Sequence, residues 1–337
     1  MLFRSLFWIW WNQCIPNIQE SLEKVVKNLS FLVLIVFCNV FHYLFFSYNK
    51  EFKTTTVIIE QGMKINEISE MLYKKKLINS EFAFDLWVKL NFLEKKIRFG
   101  EFQIIGKNSI YNIAKILISG KFVYRKFTLV EGMYKYQLIE FLNKIDPSTS
   151  LKVTDIPDNL IADTYSYVVT DNAERVLENL TNFSKKISER IWKERDKNIP
   201  LKNIEEMYIL ASIVEKETAI KSEKGKIAGV FFNRMKIGMR LQSDPTVEFS
   251  ITRGKKKLGR KLLRKDLKFS SEYNTYVNKG LPPSIICYPG KESLIAVSRP
   301  YNSNFLYFVS KNKNGQHYFS TNYKEHLERI KSIKNAK

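Results

Sequence analysis

The sequence predicts an α+β protein in three parts: an N-terminal transmembrane helix, a small α/β module, and a mixed α+β domain. Three observations carry that expectation. An uncharged apolar run lies near the N-terminus, a Gly-Met motif recurs ahead of amphipathic helices, and the C-terminal half holds a long helix followed by polar, aromatic and Gly-Pro stretches. The 337 residues suffice for two ordinary domains. The expected parts are an N-terminal cytoplasmic segment (1–30), the membrane helix (31–48), the module (51–150) and the large domain (155–333).

The membrane helix rests on "FLVLIVFCNVFHYLFFS" (31–47), which carries no Lys, Arg, Asp or Glu. That length is close to the ~17–25 residues that cross hydrocarbon. A buried core helix is the competing reading, but the run is apolar on all faces. Asn39 and His42 are its polar interruptions. It starts too late for a simple signal peptide, and no A-x-A-like site follows. Arg4, Lys24 and Lys27 precede it and Lys50, Lys53 and Lys64 follow, so flanking charge leaves its orientation a tie. "LFWIWW" (6–11) is too short to cross and suits an interfacial position.

The module rests on internal similarity. "GMKINEISEML" (62–72) and "GMYKYQLIEFL" (132–142) both place apolar residues at helical spacing after Gly-Met. These are Ile65, Ile68, Met71 and Leu72 in the first, and Tyr136, Leu138, Phe141 and Leu142 in the second. "NSIYNIAKIL" (108–117) repeats the helical half, and β-rich "TTTVIIE" and "RKFTLVE" precede two of the copies. Strand–turn–helix units over 52–145 follow, with glycine at the tight turns. No catalytic cluster falls within them, so they read as a binding or spacing module. Polar "DPSTS" and "DIPDN" (146–159) mark the expected domain boundary.

Composition narrows the function classes. The formal charge is +21, but Lys outnumbers Arg roughly three to one and Asn, Ile, Phe and Tyr abound, as AT-rich codons would give. A basic exterior favours anionic neighbours such as lipid head groups or an acidic polymer. No nucleic-acid recognition motif is present, so no nucleic-acid partner is expected. Cys14, Cys38 and Cys287 suit neither zinc nor a disulfide framework, and His42, His317 and His326 form no metal motif. Neither metal nor cofactor is expected.

The large domain's chemistry centres on "LASIVEKETA" (210–219). Asn203 caps a helix with Glu206 three residues on. Met207, Leu210, Ala211 and Val214 form its apolar stripe. Glu217 is seven residues past Leu210 and continues that stripe, whereas Glu215 points roughly 160° away. Glu215 is therefore expected to be solvated or structurally paired. A carboxyl at the edge of an apolar face is desolvated, which raises its pKa and suits it to general acid catalysis. A helix end frayed into solvent would leave it ordinary.

Two polar stretches follow. "FFNRMKIGMRLQSDPTVEF" (231–249) carries Asn233, Arg234, Arg240, Gln242, Ser243 and Asp244. "EYNTYVNKGLPPSIICYPG" (272–290) carries Tyr273, Asn274, Thr275 and Tyr276 before a Gly-Leu-Pro-Pro turn. Amides, hydroxyls and rings suit sugar hydroxyls and ring faces, although turns use the same residues.

These strings give the chain a family resemblance. "ASIVEKET", "VFFNRMKIGMRLQSDPTV", "YNTYVNKGLPP", the Pro-Gly at 289–290 and "FLYFVS" resemble the YceG-like endolytic murein transglycosylase family over nearly the whole C-terminal half. The order of parts also resembles that family: one span, a LysM-like module, then the catalytic domain. The resemblance implies a lyase acting on polysaccharide, which cuts the β-1,4 bond between N-acetylmuramic acid and N-acetylglucosamine in nascent glycan strands and leaves a 1,6-anhydromuramic end. It makes Glu217 the catalytic acid, and it implies substrate-binding roles for Gln242, Asp244, Tyr273, Asn274, Thr275 and Tyr276. It further implies peptidoglycan strands, a lipid bilayer and wall-synthesis enzymes as partners. The expected location is the cell inner membrane, single-pass, with the catalytic domain in the periplasm. The family's Pro-Asp-Thr-Tyr reads here as "IADTYSY" (161–167), with Ala162 in the proline position; Asp163 and Tyr165 remain.

A lytic enzyme can work with one carboxyl group, whereas ordinary glycosidases use two. Glu217 would act as acid and then base, Gln242 and Asn274 would stabilise developing charge, and Asp244 is the best second acid. A hydrolytic muramidase and a non-catalytic wall-binding anchor remain alternatives. A penicillin-binding peptidase is disfavoured, because "SKNK" (310–313) has neither S-D-N nor K-T-G beside it. The dense basic run "RGKKKLGRKLLRK" (253–265) reads as a solvated loop or a lipid contact.

Overall fold

The computed structural model describes residues 2–48, 54–311 and 315–335, with side chains from residue 21 on. The flanking charges at Lys50 and Lys53, the interfacial reading of side chains 6–11 and Lys313 of the S-x-x-K match lie outside the described residues. The chain divides into two compact units, Met1–Val123 and Tyr124–Lys337.

The first unit opens with α1 (Leu2–Phe46), which runs through residue 31 without a break. The most apolar 18-residue stretch of its segment Ser21–Phe46 has a mean hydropathy of 2.2, and only 6% of that stretch is buried. A soluble core helix would be covered; here Phe31, Val33 and Phe37 are each more than half exposed. At ~1.5 Å per residue this segment spans roughly 39 Å, more than the ~30 Å of a hydrocarbon core. The polar interruption is satisfied inside the helix, where the Asn39 amide donates to the Ile35 carbonyl at 2.8 Å. At the far end Phe45 is buried, and Phe41, Phe45 and Phe46 surround Trp87 at 6.4, 5.0 and 5.7 Å between ring centroids.

After α1 come β1 (Thr55–Ile59), α2 (Ile65–Lys74), α3 (Glu81–Leu90), β2 (Gly100–Ile104) and α4 (Ile110–Ser119). β1 and β2 pair antiparallel with Val57 opposite Phe102. Ile68 and Leu72 of α2, Phe84 of α3, and Ile113 and Leu117 of α4 form the core against them. Ser80 and Ser109 cap α3 and α4 by accepting from Ala83 and Asn112 backbone N–H groups. A strand, β2, precedes α4 as well, so the third copy of the repeat also has its β half.

The second unit begins with β3 (Arg125–Thr128) and α5 (Lys135–Ile145). Both Gly-Met turns are built alike. Gly62 and Gly132 have φ of +86° and +79°, and the two helices open with the same contact: Lys64 N–H to the Glu67 carboxylate, Tyr134 N–H to the Gln137 side-chain oxygen. The two copies nevertheless lie in different units, because β3 pairs with β4 (Thr164–Tyr167) and Leu138 and Leu142 join the larger core. The polar stretch 146–159 therefore lies within the second unit, and the contacts change hands at residue 123.

The rest is mainly helical: α6 (Ala173–Lys193), α7 (Ile204–Glu217), α8 (Lys221–Lys236), α9 (Asp244–Thr252) and α10 (Lys291–Ser298). An antiparallel hairpin of β5 (Tyr307–Ser310) and β6 (His317–Ser320) follows, then α11 (Tyr323–Asn335). The class is mixed α+β, as expected. α7 is the central helix, packed on by α8 and α10. Met207, Leu210, Ala211 and Val214 are all fully buried, but so are Tyr208, Ser212 and Ile213 on other faces. The helix is thus covered nearly all round rather than along one stripe.

Candidate active site

α7 stops at Glu217 because Thr218 takes an extended conformation, with φ −149° and ψ 139°. Glu217 thus sits at a helix C-terminus, where unpaired carbonyls disfavour a negative charge. Its Oε1 accepts a hydrogen bond from the Ser243 hydroxyl at 2.5 Å. Burial pushes the Glu217 carboxyl up to about 7, with the Asp244 charge adding to the rise and the Ser243 hydroxyl and Arg234 opposing it. The sequence-based expectation of a desolvated acid here matches this geometry.

Ser243 reaches Glu217 because of a backbone kink. Gln242 takes φ +50°, a left-handed conformation that is uncommon away from glycine. Its N–H donates to the Thr275 carbonyl at 3.2 Å, and the next N–H, of Ser243, donates to the Thr275 hydroxyl at 3.0 Å. Thr246 closes the lattice, donating to the Ser243 carbonyl at 2.7 Å and lying 2.8 Å from the Thr275 hydroxyl. Ser243, Thr246 and Thr275 are all buried, so this is a dry, fully tied seat for α9.

On the open side of that seat, the Tyr276 hydroxyl donates to Asp244 at 2.6 Å. Burial raises the Tyr276 phenol, and Asp244 and Glu217 raise it further. Arg234, buried at the end of α8, donates to the Leu306 carbonyl at 2.7 Å and to the Leu241 carbonyl at 2.5 Å. Burial pulls its guanidinium below the usual range, and the nearby Tyr307, Tyr276 and Glu217 pull it back. One acid, a second carboxylate, a phenol and a cation thus share one electrostatic neighbourhood.

The sequence-predicted residues separate into three groups. Glu217, Asp244 and Tyr276 come together. Asn274 and Thr275 stand behind them: Asn274 is fully buried, and its amide donates to the Leu267 and Phe269 carbonyls at 3.1 and 2.8 Å while its oxygen accepts from the Tyr276 N–H. A dipole so engaged is not free to meet a sugar, so Asn274 holds the loop that carries Tyr276. Asn274→Ala removes all three bonds and should cost about 2–3 kcal/mol, read as a lowered Tm. Gln242 is exposed, and its side chain has no hydrogen-bond partner among the described residues. Tyr273 faces elsewhere, against Phe249 and Arg253 at 4.9 and 4.8 Å, with its hydroxyl 2.7 Å from that of Ser284.

Glu215 is structurally paired rather than solvated. Lys224 meets its Oε1 at 2.7 Å, with both side chains almost wholly buried. Its Oε2 accepts from the Gly290 N–H at 2.9 Å and the Ser293 hydroxyl at 2.6 Å, at the N-terminus of α10. Ala162 has a role proline could not fill: its N–H donates to the Pro289 carbonyl at 2.8 Å. Tyr165 is buried and bonds the Ile161 carbonyl at 2.6 Å. Ser243, Arg234 and Lys224 carry the site or its support but lie in no sequence period that would single them out.

Comparison with known proteins covers almost all of this architecture. The model of the YceG-like family matches residues 57–332. That single match runs across both units and sets off no distinct LysM-like module in the first. An endolytic murein transglycosylase of Bacillus subtilis (strain 168) is 30% identical over 325 residues, covering 86% of this chain and 88% of its own. An endolytic murein transglycosylase of Streptococcus pneumoniae serotype 2 is 26% identical over 335 residues, which cover 85% of this chain and 59% of the streptococcal protein. The crystal structure of a yceG-like protein from Listeria monocytogenes shares 27% identity, covers 82% of this chain and 99% of its own, and has a TM-score of 0.47.

Proposed function

Because this chain belongs to the YceG-like family, we propose that it is an endolytic lytic transglycosylase of peptidoglycan, anchored in a membrane by α1. The observation that carries the chemistry is the desolvated Glu217 carboxyl on the Ser243 hydroxyl. With its pKa at about 7, Glu217 is substantially protonated near neutral pH. It donates that proton to the oxygen of the β-1,4 bond between N-acetylmuramic acid and N-acetylglucosamine as the bond to the muramyl anomeric carbon breaks. The muramyl C6 hydroxyl then attacks the same carbon, and the Glu217 carboxylate takes its proton. The products are a 1,6-anhydromuramic end and a free N-acetylglucosamine 4-hydroxyl. No water is consumed, and the internal hydroxyl is favoured over solvent by proximity.

Asp244 supports the reading from the open side. Its charge helps keep Glu217 protonated and would stabilise positive charge on the sugar ring. Tyr276 orients Asp244, and exposed Gln242 is placed to meet sugar hydroxyls. The catalytic domain faces the periplasmic side, where glycan strands lie.

The test is digestion of purified glycan strands by the full chain in detergent, with the mass of the new ends measured. Ends lighter by one water than a reducing muramic end are expected. Hydrated ends would convert the assignment to a hydrolytic muramidase using Asp244 to activate water, and intact strands would make the protein a wall-binding anchor.

A pH profile gives a second check. The acid must be protonated in the free enzyme, so kcat/KM should fall tenfold per unit above pH of about 7. Ser243→Ala removes a donor that favours the carboxylate, so the alkaline limb should move to higher pH. A limb moving lower would contradict the assigned contact.

A further inference from the structure

Lys216, beside Glu217 in sequence, lines a cavity of its own. Its Nζ lies 4.1 Å over the Tyr134 ring, in a cleft of about 540 Å³ whose other cations are Lys255, Lys256 and Lys257. None of these four ammonium groups has a carboxylate within ion-pair distance among the described residues. Glu131 and Glu140 line the same cleft, so four cations face two acids.

Both walls are held in place. The Gly-Met turn is fixed by Gly132 N–H to the Tyr288 carbonyl at 2.9 Å and Tyr288 N–H to the Met133 carbonyl at 2.8 Å. The lysine-bearing wall is fixed by Leu258 N–H to Glu248 at 3.1 Å and by the Arg260–Asp266 pair. Beyond Tyr134 and Gly254, which pack on each other and line both sides, lies a neighbouring pocket of about 190 Å³, lined by Phe249, Tyr273, Ile285 and Ile286.

We propose that this lysine-lined cleft binds the peptide carried by the muramic units of the strand being cut, with its carboxylates on the lysines and its small apolar side chains reaching the neighbouring aromatic pocket. The inference rests on the lytic reading of Glu217 and adds what part of the polymer is recognised. Where a peptide is attached, the muramic lactyl carboxyl is consumed in the amide bond, so the anions of such a strand are the peptide's own carboxylates. Four ammonium groups without a carboxylate partner, two of them resting on tyrosine rings, suit several such carboxylates on a flexible chain. A bilayer surface cannot enter a concavity bounded by the Gly-Met turn, although it could meet the exposed lysines from outside.

The distance is also apt. α9 starts at Asp244 beside Glu217, and Phe249 and Arg253 at its far end line the aromatic pocket. At ~1.5 Å per residue, the nine residues of α9 span roughly 12 Å between first and last Cα. A peptide hanging from a muramic unit near the cut bond can cover that separation.

The test uses the full chain in neutral detergent and two soluble probes: a GlcNAc–MurNAc disaccharide bearing a tetrapeptide, and the same disaccharide with the peptide enzymatically removed. The peptide-free probe keeps a single lactyl carboxylate and serves as a one-charge control. Titration calorimetry should show the peptide-bearing probe binding at least tenfold tighter. The triple variant Lys255→Gln/Lys256→Gln/Lys257→Gln changes only exposed side chains and should abolish that preference, and Lys216→Gln alone should weaken it. Equal affinity for the two probes, or a preference that survives the triple variant, overturns the proposal. Loss of binding to anionic phospholipid vesicles in the triple variant with the peptide preference intact would assign the lysines to a membrane and overturn it too. Binding is read without turnover: intact glycan strands alongside a retained peptide preference would remove the lytic reading and leave the peptide site standing.

Discussion

Glu217→Gln should stop glycan cutting while making the fold more stable at neutral and alkaline pH. The amide oxygen can still accept from Ser243, so the seat built by Gln242, Thr246 and Thr275 stays occupied. What disappears is the proton that leaves and the carboxylate that takes one back. General acid–base groups contribute roughly 10²–10⁴-fold, and here one group serves both steps, so kcat should fall at least about 10³-fold.

The stability change has the opposite sign. The folded-state pKa of about 7 lies above the ordinary 4.5, so the folded protein holds the proton that the unfolded chain has lost. Below pH 4.5 both states are protonated and nothing is gained or lost. Stability then declines as pH rises from about 4.5 to about 7, and above that the native state carries a desolvation cost of about 3 kcal/mol. Glutamine never ionises, so the variant should recover that amount at pH 8 and none at pH 4. Parallel denaturant curves at those two pH values check it. A variant that turns over glycan, or that is less stable at pH 8, would remove Glu217 from the role given to it.

Lys224→Ala should be the most destabilising single change near the site. Glu215 would keep its contacts to Gly290 and Ser293 but lose the buried cation that neutralises it. Removing one partner of a buried ion pair typically costs 3–5 kcal/mol, because the remaining charge cannot reach water. Circular dichroism melting should show a Tm lowered by several degrees. Adding Glu215→Gln to the lysine variant should restore much of the loss, since the amide oxygen can still accept from the Ser293 hydroxyl. If Lys224→Ala melts like the parent, the ion pair contributes nothing and α10 is held by its apolar face and the Glu215 contacts to Gly290 and Ser293. Because α10 packs on α7, a loosened Glu215 should also blur the position of Glu217 two residues later.

The sequence exposed Glu217 because helical periodicity is local. Seven residues from Leu210 is two turns, and a carboxyl in that position must meet the core or its rim. The same rotation correctly gave Glu215 a separate set of neighbours but could not name Lys224, which arrives from another helix. Ser243 was hidden between Gln242 and Asp244, both more conspicuous as sugar ligands. It turns inward because Gln242 adopts a left-handed backbone conformation, and no local propensity announces that for glutamine. Asn274 looked like a ligand because asparagine is polar; its burial follows from loop carbonyls at 267 and 269 that need donors.

The repeat was legible at the level of its turns and caps, since Gly62 and Gly132 do the same local work. It does not by itself fix which unit each copy joins, because a strand's allegiance depends on its pairing partner. β3 pairs with β4, nearly forty residues downstream, and no periodicity within 125–128 encodes that choice.

The aromatic clasp of Phe41, Phe45 and Phe46 on Trp87 bears on how far the first unit can stray. With α1 embedded, those rings rivet the folded body to the end of its own anchor, so lengthening the chain between Phe46 and Thr55 would add no slack while the rivet holds. The first unit would then be confined to a thin sheet of space beside any lipid that α1 crosses.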